Sequence, residues 1–308
     1  MGSLTSVEDA VIIAAQKYMS PALTAVASLI SESGEEMVLI GIVGLLYWSI
    51  NKELGKKLII YISFVYSCCA VLKSLVRRPR PYVLNREIKC LKPVNKEGEI
   101  YGAVSRDYSF PSVHAANSVS AYGTIAKQTE KHPLRILLCV LIVLVGVSRF
   151  VLGAHYPTDV LAGWAIACLA IALYDLLEKK LGRNRTFILV DIVSVLGFLV
   201  CTTNDFYSAY GMFLGASLGI MFEEKSVKFE GTKKPLLCVL RTLGGGCLFL
   251  ALNSLLKLPF TEAFLNSGTT AAFFVRTVRY AVTVFAIIGL YPACFRFFDK
   301  VALQKHND

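Results

Sequence analysis

The sequence predicts an all-α, polytopic membrane helical bundle of about nine transmembrane helices preceded by an N-terminal interfacial helix. Three observations carry this reading. Hydrophobic residues make up 55% of the 308 positions and charged residues only 18%, a composition outside the soluble range. Apolar stretches of about 15 to 24 residues recur between short charged or Pro/Gly-containing segments, most of them near the length a bilayer demands and the first and third short for it. Alternate connecting segments are rich in lysine and arginine, as in a chain that threads a membrane repeatedly.

The elements follow in order. Residues 9–30 are apolar but interrupted by Lys17 and Pro21, without the small-residue cleavage site of a signal peptide; an interfacial helix is expected there. The predicted spans are 36–50, 58–76, 112–126, 134–153, 158–177, 187–202, 207–222, 236–256 and 275–298. The third contains Asn117 and several serines, so neighbouring helices are expected to shield it from lipid. Gly211, Gly215 and Gly219 form a small-residue stripe suited to close helix packing. The expected organisation is an interfacial helix over 1–34, a catalytic membrane core over 35–178 and additional C-terminal spans over 179–308. Nine cysteines are scattered without CxxC or metal-ligand spacing, which argues against a disulfide framework or zinc site and for small core residues.

The net charge of +10 does not point to nucleic acid, because the cations lie in the connections between spans. Lys52, Lys56 and Lys57, then Lys127, Lys131 and Arg135, then Lys179, Lys180, Arg183 and Arg185, then Lys225, Lys228, Lys233 and Lys234, and finally Lys300 and Lys305 fall on one face. The positive-inside rule makes that face cytoplasmic. The long connection 77–107 belongs to the opposite face, yet holds Arg77, Arg78, Arg80, Arg86, Lys89, Lys92, Lys96 and Arg106. A basic segment there suits the attraction of an anion.

Strongly polar residues gather at span ends in three places: Lys73 to Pro81, Phe110 to His114, and Ser148 to Asp159. Up-and-down threading brings all three to the outer face and so assembles Lys73, Arg80, Ser112, His114, Arg149, His155 and Asp159. Cations neutralise phosphoryl oxygens, a serine and helix-start N–H groups add donors, and two histidines can divide nucleophile and acid roles. Asp159, about one helical turn beyond His155, is placed to hold its imidazole N–H. Each residue alone has a plainer explanation: snorkelling for Lys73 and Arg80, an N-cap for Ser112, a structural pair for His155 and Asp159. Those explanations weaken when all seven must be explained together.

The spacings K-x6-R-P, P-S-x-H and S-R-x5-H-x3-D, met in order between Lys73 and Asp159, resemble the type 2 phosphatidic acid phosphatase superfamily. That resemblance implies His155 as nucleophile, Asp159 as its orienting partner, and His114 as the acid for the leaving alkoxide. Lys73, Arg80, Ser112 and Arg149 would bind phosphate, with no metal or other cofactor. Val113, also at the phosphate site, departs from the glycine of many members, as in the sphingosine-phosphate branch. The additional spans after Asp159 are similar to that sphingosine-1-phosphate phosphatase branch and its bacterial relatives.

The expected function is therefore metal-independent hydrolysis of a lipid phosphomonoester, such as sphingosine 1-phosphate or phosphatidic acid, through a phosphohistidine. The active site would lie on the extracytoplasmic or lumenal face, with membrane lipids as surroundings and no nucleic acid partner. Prenyl diphosphates, soluble sugar phosphates, phosphotransfer to an alcohol, and transport of an anion without hydrolysis are the alternatives.

Overall fold

The computed structural model describes residues 2–92 and 108–295. Lys96, Arg106, Lys300 and Lys305, and the end of the ninth predicted span, lie outside them. The described chain is helical throughout, with no strand. It divides into two compact units, residues 1–38 with 68–172, and residues 39–67 with 173–308; this grouping joins the N-terminal segment to the motif-bearing helices.

The first unit opens with α1 (Gly2–Gln16) and α2 (Pro21–Glu32). One interfacial helix was expected; two form, bent by 119°. The break has a local cause. Ser20 caps α2 by accepting from the Leu23 N–H at 3.3 Å, and Pro21 follows at its first position. Ile12 of α1 packs into a buried cluster with Tyr82, Ile88 and Tyr156, so α1 is part of this unit's core.

α4 (Lys52–Val76) passes from the second unit into the first and is followed by the short α5 (Pro81–Leu84); α3 (Glu36–Leu45) precedes it. The third predicted span becomes α6 (Val113–Ser118) and α7 (Thr124–Gln128) joined by a π-turn. As expected, its polar residues Asn117, Ser118, Ser120 and Thr124 are buried in protein. α8 (His132–Val151) and α9 (Pro157–Leu181), as far as residue 172, complete the unit. α8 exposes Ile136, Leu137, Val140, Val143 and Leu144, the apolar face a lipid-contacting helix needs.

The second unit contains α10 (Arg183–Val195), α11 (Asn204–Phe222), α12 (Pro235–Leu255), α13 (Glu262–Leu265) and α14 (Thr270–Phe285). The glycine stripe acts as expected. A Cβ at Gly211 would stand 2.5 Å from the Thr277 carbonyl and one at Gly215 2.4 Å from that of Ala281, so α11 lies backbone to backbone against α14. Several basic residues read as loop charges are ion-paired: Lys52 with Glu223 at 2.6 Å, Lys56 with Glu224 at 2.8 Å, and Arg183 with Glu224 at 2.6 Å and Glu53 at 3.0 Å.

The protein is a multi-pass integral membrane protein, and the expected count of nine spans is not confirmed. Among the described residues five helices are long and apolar enough to cross a membrane, or six if the bent α1–α2 pair counts as one. Every predicted segment holds a helix, and α11 covers the whole of its predicted span. All nine cysteines are free. The expectation that they fill the core holds for Cys69 and Cys201, whereas Cys139, Cys168, Cys247 and Cys294 are exposed, a position that lipid tolerates for so apolar a side chain.

Candidate active site

All the motif residues belong to the first unit. Lys73 lies in the last turn of α4, Arg80 caps α5, Ser112 caps α6, Arg149 ends α8, and Asp159 is in the first turn of α9. Lys73, Arg80, Ser112, Arg149, His155 and Asp159 are all buried. So many buried cations in one unit require anionic or polar company.

His155 occupies the short bend between α8 and α9, where the Ala154 and His155 N–H groups both donate to the Arg149 carbonyl, at 3.0 and 3.2 Å. Its Nδ1 is 2.6 Å from the Ser109 carbonyl, which can only accept. The proton is thereby placed on Nδ1 and the lone pair on Nε2. Arg80 Nη1 stands 3.4 Å from that Nε2 and donates to the Ala154 carbonyl at 2.7 Å. Burial, then Arg80, Arg149, Lys73 and His114, hold the His155 imidazole well below the ordinary histidine range. The four groups named with it therefore share its electrostatic neighbourhood.

The orienting role differs from the sequence expectation. Asp159 Oδ2 is 3.8 Å from His155 Nδ1, because the Ser109 carbonyl already holds that N–H. Asp159 instead accepts from the Tyr156 N–H at 2.8 Å through Oδ2 and from Arg78 at 2.9 Å through Oδ1. It fixes the bend that carries His155. Arg78 in turn pairs with Glu8 of α1 at 2.5 Å, and Glu8 accepts from both the Thr158 N–H and hydroxyl, at 3.0 and 2.6 Å.

Ser112 is the N-cap that its sequence context suggested, accepting from the Ala115 N–H at 3.4 Å. Its own N–H donates to the Asp159 carbonyl at 3.0 Å, so the start of α6 is tied to α9. Contact is close enough that a Cβ at Gly163 would stand 2.5 Å from the Ser112 carbonyl. Val113 is the first residue of α6 and partly exposed. His114 Nε2 is buried and, among the described residues, without a hydrogen-bond partner, 3.6 Å from Glu35 Oε1. Glu35 lies in the turn after α2 and accepts from Lys92 at 2.9 Å. The neighbouring His114, then Lys92, outweigh burial and lower its carboxyl to about 2. Arg149 donates to Ser31 of α2 in a short hydrogen bond.

Sequence reasoning thus missed Glu8, Ser31, Glu35 and Ser109, and read Arg78 only as part of a basic run. Glu8 carried one usable signal, an acid within an apolar helix. Ser109 carried none, since its backbone carbonyl makes the contact.

Comparison with known families covers the stretch that holds these residues. The model described as "PAP2 superfamily" matches residues 55–183, which include every motif residue, and "PAP2 superfamily phosphatase, transmembrane extension" matches 207–303. Decaprenylphosphoryl-5-phosphoribose phosphatase of Mycolicibacterium smegmatis is 30% identical over 51% of this chain and 81% of its own length. The chain belongs to the PAP2 superfamily. Other PAP2 relatives include phosphatidylglycerophosphatase B of Bacillus subtilis, 37% identical over 25% of this chain and 43% of that protein. Sphingosine-1-phosphate phosphatase 1 of Mus musculus is 26% identical over 62% of this chain and 45% of that protein. The chain thus spans less than half the length of the Bacillus and mouse relatives.

Proposed function

We propose that this PAP2 protein hydrolyses a lipid phosphomonoester without a metal, through a phosphohistidine at His155. The observation that carries the reading is the Nε2 lone pair of His155, fixed by the Ser109 carbonyl on the far side of the ring and set beside Arg80. In-line attack by Nε2 forms the N–P bond as the bond from phosphorus to the alcohol oxygen breaks. His114 gives its proton to the departing alkoxide. It then takes one from a water that attacks phosphorus, which breaks the N–P bond and releases inorganic phosphate. Lys73, Arg80 and Arg149, with Ser112 and the Val113 backbone at the start of α6, offset charge on the equatorial oxygens. Asp159 acts on this chemistry as a positioning residue, through the bend and Arg78.

A lipid substrate is supported by the setting in a multi-pass protein and by relatives named for lipid phosphates. The Mycolicibacterium relative, matched over most of its length, favours a second reading in which the lipid is a polyprenyl phosphate derivative. The site would face the extracytoplasmic or lumenal side.

The test is phosphate release in EDTA by detergent-purified protein, over sphingosine 1-phosphate, phosphatidic acid, a polyprenyl-linked phosphomonoester and glucose 6-phosphate. Release from a lipid is expected to fall by more than about 1,000-fold in His155→Ala, with acid-labile phosphate trapped on the wild-type protein during turnover. A folded His155→Ala protein that still turns over would overturn the nucleophile assignment. Exclusive turnover of glucose 6-phosphate would overturn the lipid.

A further inference from the structure

The second unit holds a group of cations that the phosphatase motifs do not include. α14 belongs to the 25-residue apolar segment Thr270–Cys294. Its Thr277 and Ala281 carbonyls face α11, against Gly211 and Gly215. Arg276 and Arg279 share another flank, one turn apart. At about 1.5 Å per residue, Arg279 is roughly 13 Å along the helix from its start, a depth at which an unpaired charge is costly.

Arg279 is only 4% exposed. It donates from Nη2 to Asn253 Oδ1 of α12 at 2.9 Å, while its buried Nε has no hydrogen-bond partner. Arg276 lies 3.5 Å from the Leu265 carbonyl, at the limit of a hydrogen bond, and its buried Nε is likewise without a partner. Neither arginine makes an ion pair among the described residues. Their other charged neighbour is Lys257, exposed just beyond α12, whose pKa is lowered by partial desolvation and then by Arg279 and Arg276. Glu262, exposed at the start of α13, acts on Lys257 and does not reach either arginine as an ion pair. Tyr280 offers Arg279 only a ring face, 5.6 Å away.

Two guanidinium groups of α14 with unused donors, one of them bonded to the Asn253 amide of α12, therefore have no counter-ion among the described residues, and Lys257 adds a further positive charge to them. Buried cations are tolerated when something anionic satisfies them, and the guanidinium fork matches phosphate oxygens in particular. Basic clusters between membrane helices on the cytoplasmic side bind anionic headgroups, and the same charge complementarity applies to a basic cluster at the other end of the helices. We propose that Arg276, Arg279, Lys257 and Asn253 form a binding site for a phosphate group, carried by an anionic phospholipid, between α12 and α14. The site shares no residue with the phosphatase motifs and does not depend on their activity.

The test uses full-length protein in non-ionic detergent, with lipid retention followed by native mass spectrometry and unfolding temperature measured alongside. Phosphatidylglycerol is expected to be retained and to raise the unfolding temperature, and phosphatidylcholine, with no net charge, is not. Arg276→Gln is expected to weaken the apparent Kd for phosphatidylglycerol about tenfold, the scale of one charge-assisted hydrogen bond, with Arg276→Lys restoring part of it. Lys257→Gln, at an exposed position, gives a second measure should Arg276→Gln fold poorly. Stabilisation by inorganic phosphate that is lost in the same variants would support the phosphate site with a soluble source. Equal phosphatidylglycerol retention by wild type and both variants, or none by wild type, would overturn the proposal.

Discussion

His155 joins three constraints in one side chain: a fixed tautomer, a buried setting and cations nearby. The Ser109 carbonyl at 2.6 Å holds a proton on Nδ1, so that the neutral ring carries its lone pair on Nε2, and burial with Arg80, Arg149, Lys73 and His114 keeps the pKa below the ordinary 6.5. A nucleophile must be unprotonated, so a lowered pKa extends activity downward in pH. The acid limb of kcat/KM is expected below pH 6.5. Lys73→Gln removes one of the cations and should move that limb upward while lowering the rate, both read from a pH profile on a single lipid phosphate. A limb at or above 6.5 in the wild type would contradict the electrostatic account.

At the scale of helices, close backbone approaches place the side chains. Gly163 lets α9 meet the Ser112 carbonyl that starts α6, and the same contact carries the Ser112 N–H to the Asp159 carbonyl. Gly163→Ala would force that carbonyl aside and displace Ser112, Val113 and His114 together. Overpacking of this kind costs about 1–3 kcal/mol, and kcat is expected to drop at least about tenfold with the protein still folded. Gly215→Leu makes the contrasting case, since it separates α11 from α14 and touches no motif residue. It should lower the unfolding temperature while the kcat of the folded fraction stays near wild type; a selective loss of kcat there would tie α11 to the chemistry.

For the molecule as a whole, sidedness is the open architectural proposal, and the charge pattern makes it testable. Glu130 lies in a connection assigned to the cytoplasm, and the exposed Glu87 in the basic connection assigned to the other side. In a cysteine-free background, Glu87→Cys is expected to react with a membrane-impermeant maleimide in intact cells, and Glu130→Cys only after the membrane is opened. The reverse pattern would place the site on the cytoplasmic face. The ion pairs of Lys52, Lys56 and Arg183 do not weaken the assignment, because the positive-inside rule counts lysine and arginine and is little affected by acids.

The sequence by itself determined the membrane class, the helical character of every predicted segment, the glycine stripe of α11 and the motif residues, because hydropathy period and motif spacing are local or one-dimensional signals. The number of full spans was not legible in this way, and neither was the division of the N-terminal segment into two helices, which Ser20 and Pro21 impose. Tertiary structure alone decided who holds whom in the site. Glu8 reaches Arg78 from 70 residues away and the Ser109 carbonyl reaches His155 from 46. A backbone carbonyl is common to every residue and leaves no mark in a sequence. Asp159 therefore looked like the partner of His155, four residues away, until the fold gave that N–H to Ser109 and gave Asp159 to Tyr156 and Arg78.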